Sequence, residues 1–270
     1  MLLVIDVGNT NTVLGVFGRP PSLRSSDEGE PGYTHLMANW RVATSRTSTV
    51  DEYGVLFRNL FSMAALEVKG VHGIVVSSVV PPLGPVLRQV CERYFHLRPL
   101  FIEPGVKTGM PVQYDNPAEV GADRIVNGVA AFEKFGGPCI VVDFGTSTNF
   151  DVVSVDVEFL GGAIAPGVEI SMDALYSRAA RLIKVDLAAP ATAVGKSTVA
   201  AMQSGAVFGF AGQVDGIVRR IQAELGGPCP VVATGGLGGL MRPHCETVTA
   251  YEPWLTLAGL QLVWQRNQES

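Results

Sequence analysis

Two stretches far apart in the chain carry the same message. "VIDVGNTNTVLGVF" (residues 4–17) and "CIVVDFGTSTNFDVVSV" (139–155) each run from an apolar strand into Asp-x-Gly. Small hydroxyl or amide residues follow, and then a second apolar strand. The aspartates, Asp6 and Asp143, lie 137 residues apart, close to half of the 270-residue chain. A repeat at half length constrains the fold more than any single motif, because it requires two β-rich halves built alike. A third glycine turn, "PVVATGGLGG" (230–239), follows a later strand. Each loop taken alone has two readings. Gly-Asn suits a plain hairpin turn. Glycine also lets the backbone approach a ligand, while short neighbours leave N–H groups free to cradle phosphate.

Composition narrows the field. Hydrophobic residues make up 47% and charged residues 17%, which fits one or two folded domains and excludes a disordered chain. The net charge of -5 offers no basic footprint for nucleic acid. It suits a protein that binds a small anion locally, by geometry. No apolar run is long enough for a membrane span, and Asp6 interrupts the N-terminal apolar stretch, which argues against a signal peptide. Cys91, Cys139, Cys229 and Cys245 form no C-x-x-C pair and the four histidines are scattered. The expectation is buried thiols, no metal cluster and a cytoplasmic protein without membrane or nucleic-acid partners.

Between the repeated loops, a polar insertion at 18–33 reads as a flexible surface loop. A strand is expected at 37–42, a helix at 50–66, a strand at 73–80, a helix at 84–95 and a strand at 99–102. The second half opens with a helical stretch over 117–135. Segment 198–225, apolar at helical spacing with Val207, Phe208, Phe210, Val214, Ile217 and Ile221, reads as a core or interface helix. "VGKST" (194–198) mimics the tail of a Walker A loop, but Pro190 stands where its first glycine belongs and no strand precedes it. "GGLGG" lacks the third glycine of a dinucleotide fingerprint, since Met241 occupies that place.

Together, the two Asp-x-Gly loops and the late glycine turn resemble the superfamily of acetate and sugar kinases, heat-shock chaperone ATPases and actin. The resemblance implies an α/β fold class. Two duplicated actin-like (ribonuclease H-like) ATPase domains, expected at 1–117 and 118–270, would have a nucleotide cleft between them, and the late turn would meet the adenosine.

"YDNPAEVGADRIVNGVAAFEKFG" (114–136) is the discriminating stretch. Asp123 and Arg124 stand at the start of an amphipathic helix, giving a base beside an anion clamp. The plainer reading has Asp123 as a helix cap and Arg124 as a solvated surface charge. The spacing Tyr-x-x-Pro-x-x-x-Gly-x-Asp-Arg, with "DVGNTNT", "DFGTSTNFDVV", "GGAIAPG" (161–167), "GKST" and "ATGGLGG", resembles type III pantothenate kinase over nearly the whole chain.

That resemblance implies ATP-dependent phosphorylation of pantothenate to 4'-phosphopantothenate, the first step of coenzyme A biosynthesis. It implies an ATP site at Asp6, Val7, Gly8, Asn9, Thr10, Asn11, Thr12 and Val13, with Asp6 near the magnesium and Thr146 touching ATP. Asp123 would be the general base. Gly121, Ala122, Asp123 and Arg124 would contact pantothenate, with Tyr114 and Thr198 lining its pocket at a homodimer interface. Asp143 would bind a monovalent cation, potassium or ammonium, a charge that the phosphate loops lack because neither contains Lys or Arg. Two features depart from the family pattern: Asn149 stands where a hydroxyl or small residue is usual, and the insertion at 18–33 is long. The competing functions are a sugar or other small-molecule kinase of the same fold, and a non-catalytic nucleotide switch. The intact Gly121 to Arg124 motif disfavours the switch.

Overall fold

A computed structural model describes residues 1–18, 35–179 and 182–268. The polar insertion lies outside the described residues from position 19 onward. The chain forms two compact units. One comprises 1–109, 116–130 and 256–270, the other 110–115 and 131–255.

In the first unit, strand β1 (Leu2–Val7) turns into β2 (Asn11–Gly18), and β3 (His35–Ala43) continues the antiparallel meander. After helix α1 (Val50–Met63) the chain returns as β4 (Gly73–Ser78), parallel to β1. Helix α2 (Leu83–Val90) and a π-helical turn (Cys91–Phe95) then lead to β5 (Leu100–Phe101), parallel to β4. The sheet order is β3-β2-β1-β4-β5. Helix α1 begins where the sequence requires it: Thr49 and Glu52 form a capping box that satisfies the first free N–H groups.

The alternation of β1 decides which face is buried against what. Leu3, Ile5 and Val7 join Leu14, Val16, Ile74 and Val76 in a core with Tyr53, Phe57 and Phe61 of α1 and Leu83, Leu87 and Val90 of α2. The opposite row, Leu2, Val4 and Asp6, faces the C-terminal helix α7 (Leu255–Arg266). Glycines let α7 come close. A Cβ on Gly15 would lie 2.9 Å from Leu257 and 3.0 Å from Val4, and one on Gly73 would overlap the Trp264 ring. Gly259 of α7 in turn rests against the Val126 carbonyl of α3 (Ala122–Phe135). The last helix in sequence therefore belongs to the unit of the first strand.

The second unit repeats the first. Strands β6 (Cys139–Phe144), β7 (Ser147–Val153) and β8 (Phe159–Pro166) form an antiparallel meander. Helices α4 (Val168–Arg178) and α5 (Thr198–Glu224) follow. The chain then returns as β9 (Val231–Thr234), parallel to β6. After α6 (Gly238–Met241), β10 (Ala250–Tyr251) pairs parallel to β9. The order β8-β7-β6-β9-β10 matches the first sheet strand for strand, in direction as well as position. Two sheets of identical topology from one chain are the duplicated α/β architecture that the half-length repeat requires.

Helix α5 is chiefly a core helix. Met202, Ala206, Ala211, Val214 and Val218 pack with Ile140, Val142, Phe144 and Phe150 of the sheet. Its buried Asp215 accepts the backbone N–H groups of Glu246 (3.0 Å) and Thr247 (2.9 Å) and the Thr247 hydroxyl (2.7 Å), tying the segment before β10 to the helix. The four cysteines are free, and burial pushes the thiols of Cys91, Cys139 and Cys245 up to about 12, so they serve as small apolar groups. Cys229 is only half-buried.

Candidate active site

The β1–β2 connection is both of the things that its sequence allows. It is a tight hairpin, closed by Gly8 N–H donating to the Asn11 carbonyl at 3.0 Å, and Asn9 and Thr10 stand exposed at its tip. Asp6 sits one residue before the strand ends, in register with Val13 across the hairpin and with Ser77 on the parallel strand β4. Residues in register share a sheet face, so Asp6 and Ser77 lie side by side. Ser77 is fully buried, and its hydroxyl has no hydrogen-bond partner among the described residues.

The β6–β7 connection is the counterpart. Gly145 N–H donates to the Ser147 carbonyl at 3.0 Å, and Thr146 is exposed at the tip. This loop is one residue shorter: Asp143 pairs with Asn149, six positions on, whereas Asp6 pairs with Val13, seven on. Asp143 also lies in register with buried Thr234 of β9, as Asp6 does with Ser77. Both aspartates thus have a hydroxyl residue beside them on the parallel neighbour. The glycine turn after β9 closes on this loop. Leu237 N–H donates to the Phe144 carbonyl at 3.3 Å, and Gly235, at φ +87°, leaves no room for a Cβ beside the Asp143 carboxylate and the Phe144 carbonyl. Asn149 accepts the Ser147 hydroxyl at 2.8 Å, so the unusual residue there braces the loop.

Asp123 is the second residue of α3, beyond Gly121 and Ala122. Its Oδ1 accepts the Arg124 backbone N–H at 2.9 Å, and a Cβ on Gly121 would run into that same oxygen. The same Cβ would touch Val79, which follows β4, so the start of α3 lies beside the end of that strand. The structure therefore gathers Asp6, the 8–12 hairpin, Ser77 and Asp123 in one unit, at the carboxyl end of the β1–β4 pair. Burial pushes the Asp123 carboxyl above the usual carboxylate range; the Arg124 N–H and guanidinium only partly offset this. Arg124 is 7% exposed, which rules out the solvated surface charge. The helix-cap reading survives in part, because Asp123 does hold a first-turn N–H.

Tyr114 and Thr198 lie in the other unit. The Tyr114 ring borders Gly161, where a Cβ would come within 3.3 Å of it. Thr198 opens α5, capped by Ser197, whose hydroxyl accepts Ala200 N–H at 3.2 Å. Thr198 lines a cavity of about 640 Å³ with Ser171, Met172, Leu175, Met202 and Phe210. Among the described residues no three His, Cys, Asp or Glu side chains converge as a metal site. A divalent ion would take one carboxylate and complete its shell from phosphate and water, as Mg²⁺ prefers. Sequence reasoning missed Ser77, Thr234 and Arg46; the last donates Nη2 to Asn9 Oδ1 at 2.8 Å. Strand register and a contact across 37 positions bring them in, and neither is written locally.

Comparisons with known proteins bear on the family and the fold. A family profile described as type III pantothenate kinase matches residues 2–220. A type III pantothenate kinase from Koribacter versatilis is 59% identical over 270 residues, all of this chain and 97% of the relative. One from Moorella thermoacetica is 52% identical over 267 residues, 99% of this chain and all of the relative. Component A of (R)-2-hydroxyglutaryl-CoA dehydratase from Acidaminococcus fermentans superposes with a TM-score of 0.56 at 13% identity. That match covers 100% of this chain and 99% of the other, a likeness of fold alone.

Proposed function

Because the chain belongs to the type III pantothenate kinase family, it transfers the terminal phosphoryl group of ATP to pantothenate in coenzyme A biosynthesis, and we propose that Asp123 is the general base of that step. The observation that carries this reading is the half-buried Asp123 carboxylate, raised by burial, next to buried Arg124 and in one unit with the Asp6 hairpin. A base works best when its pKa approaches the working pH, and burial moves Asp123 that way. Asp123 takes the proton of the pantothenate hydroxyl as that oxygen bonds to phosphorus and the bond to the ADP oxygen breaks. Arg124 pairs with the substrate carboxylate. Gly121 and Ala122 carry the chain past the substrate.

Residues 6–13 hold the ATP phosphates. Phosphoryl transfer depends on positioning and charge neutralisation, which small residues with accessible N–H groups supply. The residues fit magnesium: Asp6 offers one hard oxygen ligand beside the buried Ser77 hydroxyl. Mg²⁺, when bound with ATP, screens the phosphate charge. Asp143 fits a potassium or ammonium ion, with the Phe144 carbonyl close by: a Cβ on Gly235 would meet both oxygens. Free, mostly buried cysteines fit a cytoplasmic setting. No helix among the described residues is long and apolar enough to cross a membrane.

We further propose a homodimer formed through the second unit. Leu160, Ile164, Ile170, Leu175, Ile183, Val194 and Val199 are all exposed within one 40-residue stretch that also borders the cavity at Thr198. On this proposal these exposed apolar groups form one association surface. Sedimentation should give a dimer at assay concentrations, and Ile164→Asp should dissociate it and lower pantothenate turnover; a fully active wild-type monomer would end the proposal.

Asp123→Asn should lower turnover by about 10²–10⁴-fold. It should melt no earlier than the wild type at neutral pH. A carboxyl raised in the native state binds protons more tightly there, so its ionisation costs stability above its unfolded pKa, and the amide removes that cost. Near-wild-type turnover would leave Asp123 as a cap only. Asp143→Ala should abolish the stimulation by potassium or ammonium; full activity of this variant in sodium-only buffer would refute the cation assignment.

A further inference from the structure

We infer that Arg46 is a phosphate-binding residue of the ATP site, supplying the positive charge that neither phosphate loop contains. The inference deepens the reading of residues 6–13 as the phosphate loop and rests on it. Segments 6–13 and 143–148 contain no lysine or arginine, although the ligand is polyanionic. Arg46 comes from the connection between β3 and α1, and its Nη2 donates to Asn9 Oδ1 at 2.8 Å, at the exposed tip of the first loop.

Its placement is built from both sides. Thr44 N–H donates to the Thr10 carbonyl at 2.9 Å, which extends the β2–β3 ladder one residue past the Asn11–Ala43 pair. The Thr44 hydroxyl donates to the Gly8 carbonyl at 2.7 Å and lies 2.9 Å from the Thr12 hydroxyl, so it braces the hairpin from beneath. On the other side, the core residue Tyr53 grips Ser45 twice: its hydroxyl accepts Ser45 N–H at 3.2 Å and donates to the Ser45 carbonyl at 2.9 Å. Ser48 donates to the Ser45 hydroxyl at 2.8 Å, and the Thr49 capping box then starts α1. The backbone that presents Arg46 is therefore tied to the loop before it and to the core after it.

The guanidinium is exposed, and among the described residues no carboxylate pairs with it. It carries five N–H donors, of which Asn9 takes one, and its fork matches phosphate oxygens. A residue that served only to hold Asn9 would need no charge. Glutamine at position 46 keeps a side-chain donor for Asn9 and loses the charge, so it separates the two roles.

The test is titration of wild type, Arg46→Gln and Arg46→Lys with ATP, ADP and adenosine, alongside initial rates with pantothenate. R46Q should weaken ATP and ADP binding and raise KM for ATP roughly ten- to hundredfold. Adenosine affinity, KM for pantothenate and the melting temperature should stay near wild type, and R46K should fall in between. Wild-type affinity of R46Q for ATP, or an equal loss for ATP and adenosine, would overturn the assignment. The binding arm does not depend on the acceptor. Absence of phosphoryl transfer to pantothenate by the wild type would count against the kinase reading, while the ATP-to-adenosine ratio would still decide the role of Arg46.

Discussion

Everything in this protein depends on one arrangement of backbone: an antiparallel hairpin whose first strand also pairs, in parallel, with the strand that returns from a helix. At the carboxyl end of that parallel pair the ladder stops, and open α/β sheets bind their ligands at such ends. The register sets an aspartate there beside a hydroxyl residue, Asp6 with Ser77 in one unit and Asp143 with Thr234 in the other. The apolar residues upstream, at 0% exposure along Leu2 to Ile5 and Ile140 to Val142, hold the registers, because a slip of one residue would turn each row onto the wrong face.

The duplicated frame is put to unequal use. The first unit carries the longer hairpin, the end of β4 and the start of α3, so the hairpin proposed to hold phosphate and a carboxylate raised by burial share one sheet edge. The second carries the shorter loop, closed by Gly235, and also the cavity at Thr198 and the exposed apolar residues of segment 160–199. Positive charge enters each unit differently. In the first it comes from Arg46 and Arg124, held by hydrogen bonds and burial; for the second it is assigned to a bound ion at Asp143.

Much of this was legible in the sequence, for a physical reason. Asp-x-Gly after an apolar run, the half-length repeat and the Gly121 to Arg124 motif are local patterns, and local patterns survive without coordinates. The strands, α1 and α5 fell close to their expected bounds. Helix 84–95 differed: its α-helical part ends at Val90 and a π-helical turn completes it, closed by His96 in the left-handed region. What could not be read was long-range. The return of α7 to the first sheet rests on glycines at 15 and 73 that admit Leu257 and Trp264. Ser77 reaches Asp6 only through register, and Arg46 reaches Asn9 only because Thr44 and Tyr53 pin the connection between them.

The central claim is that burial has made Asp123 a base suited to taking a proton from an alcohol. The most direct measurement is kcat/KM for pantothenate against pH, in wild type and Asp123→Asn at saturating Mg-ATP. The wild type should lose activity as pH falls through an apparent pKa above the ordinary carboxylate range, and this acidic limb should be missing from the residual activity of the variant. The same limb in both proteins, or a wild-type profile that is flat down to the ordinary carboxylate range, would contradict the account.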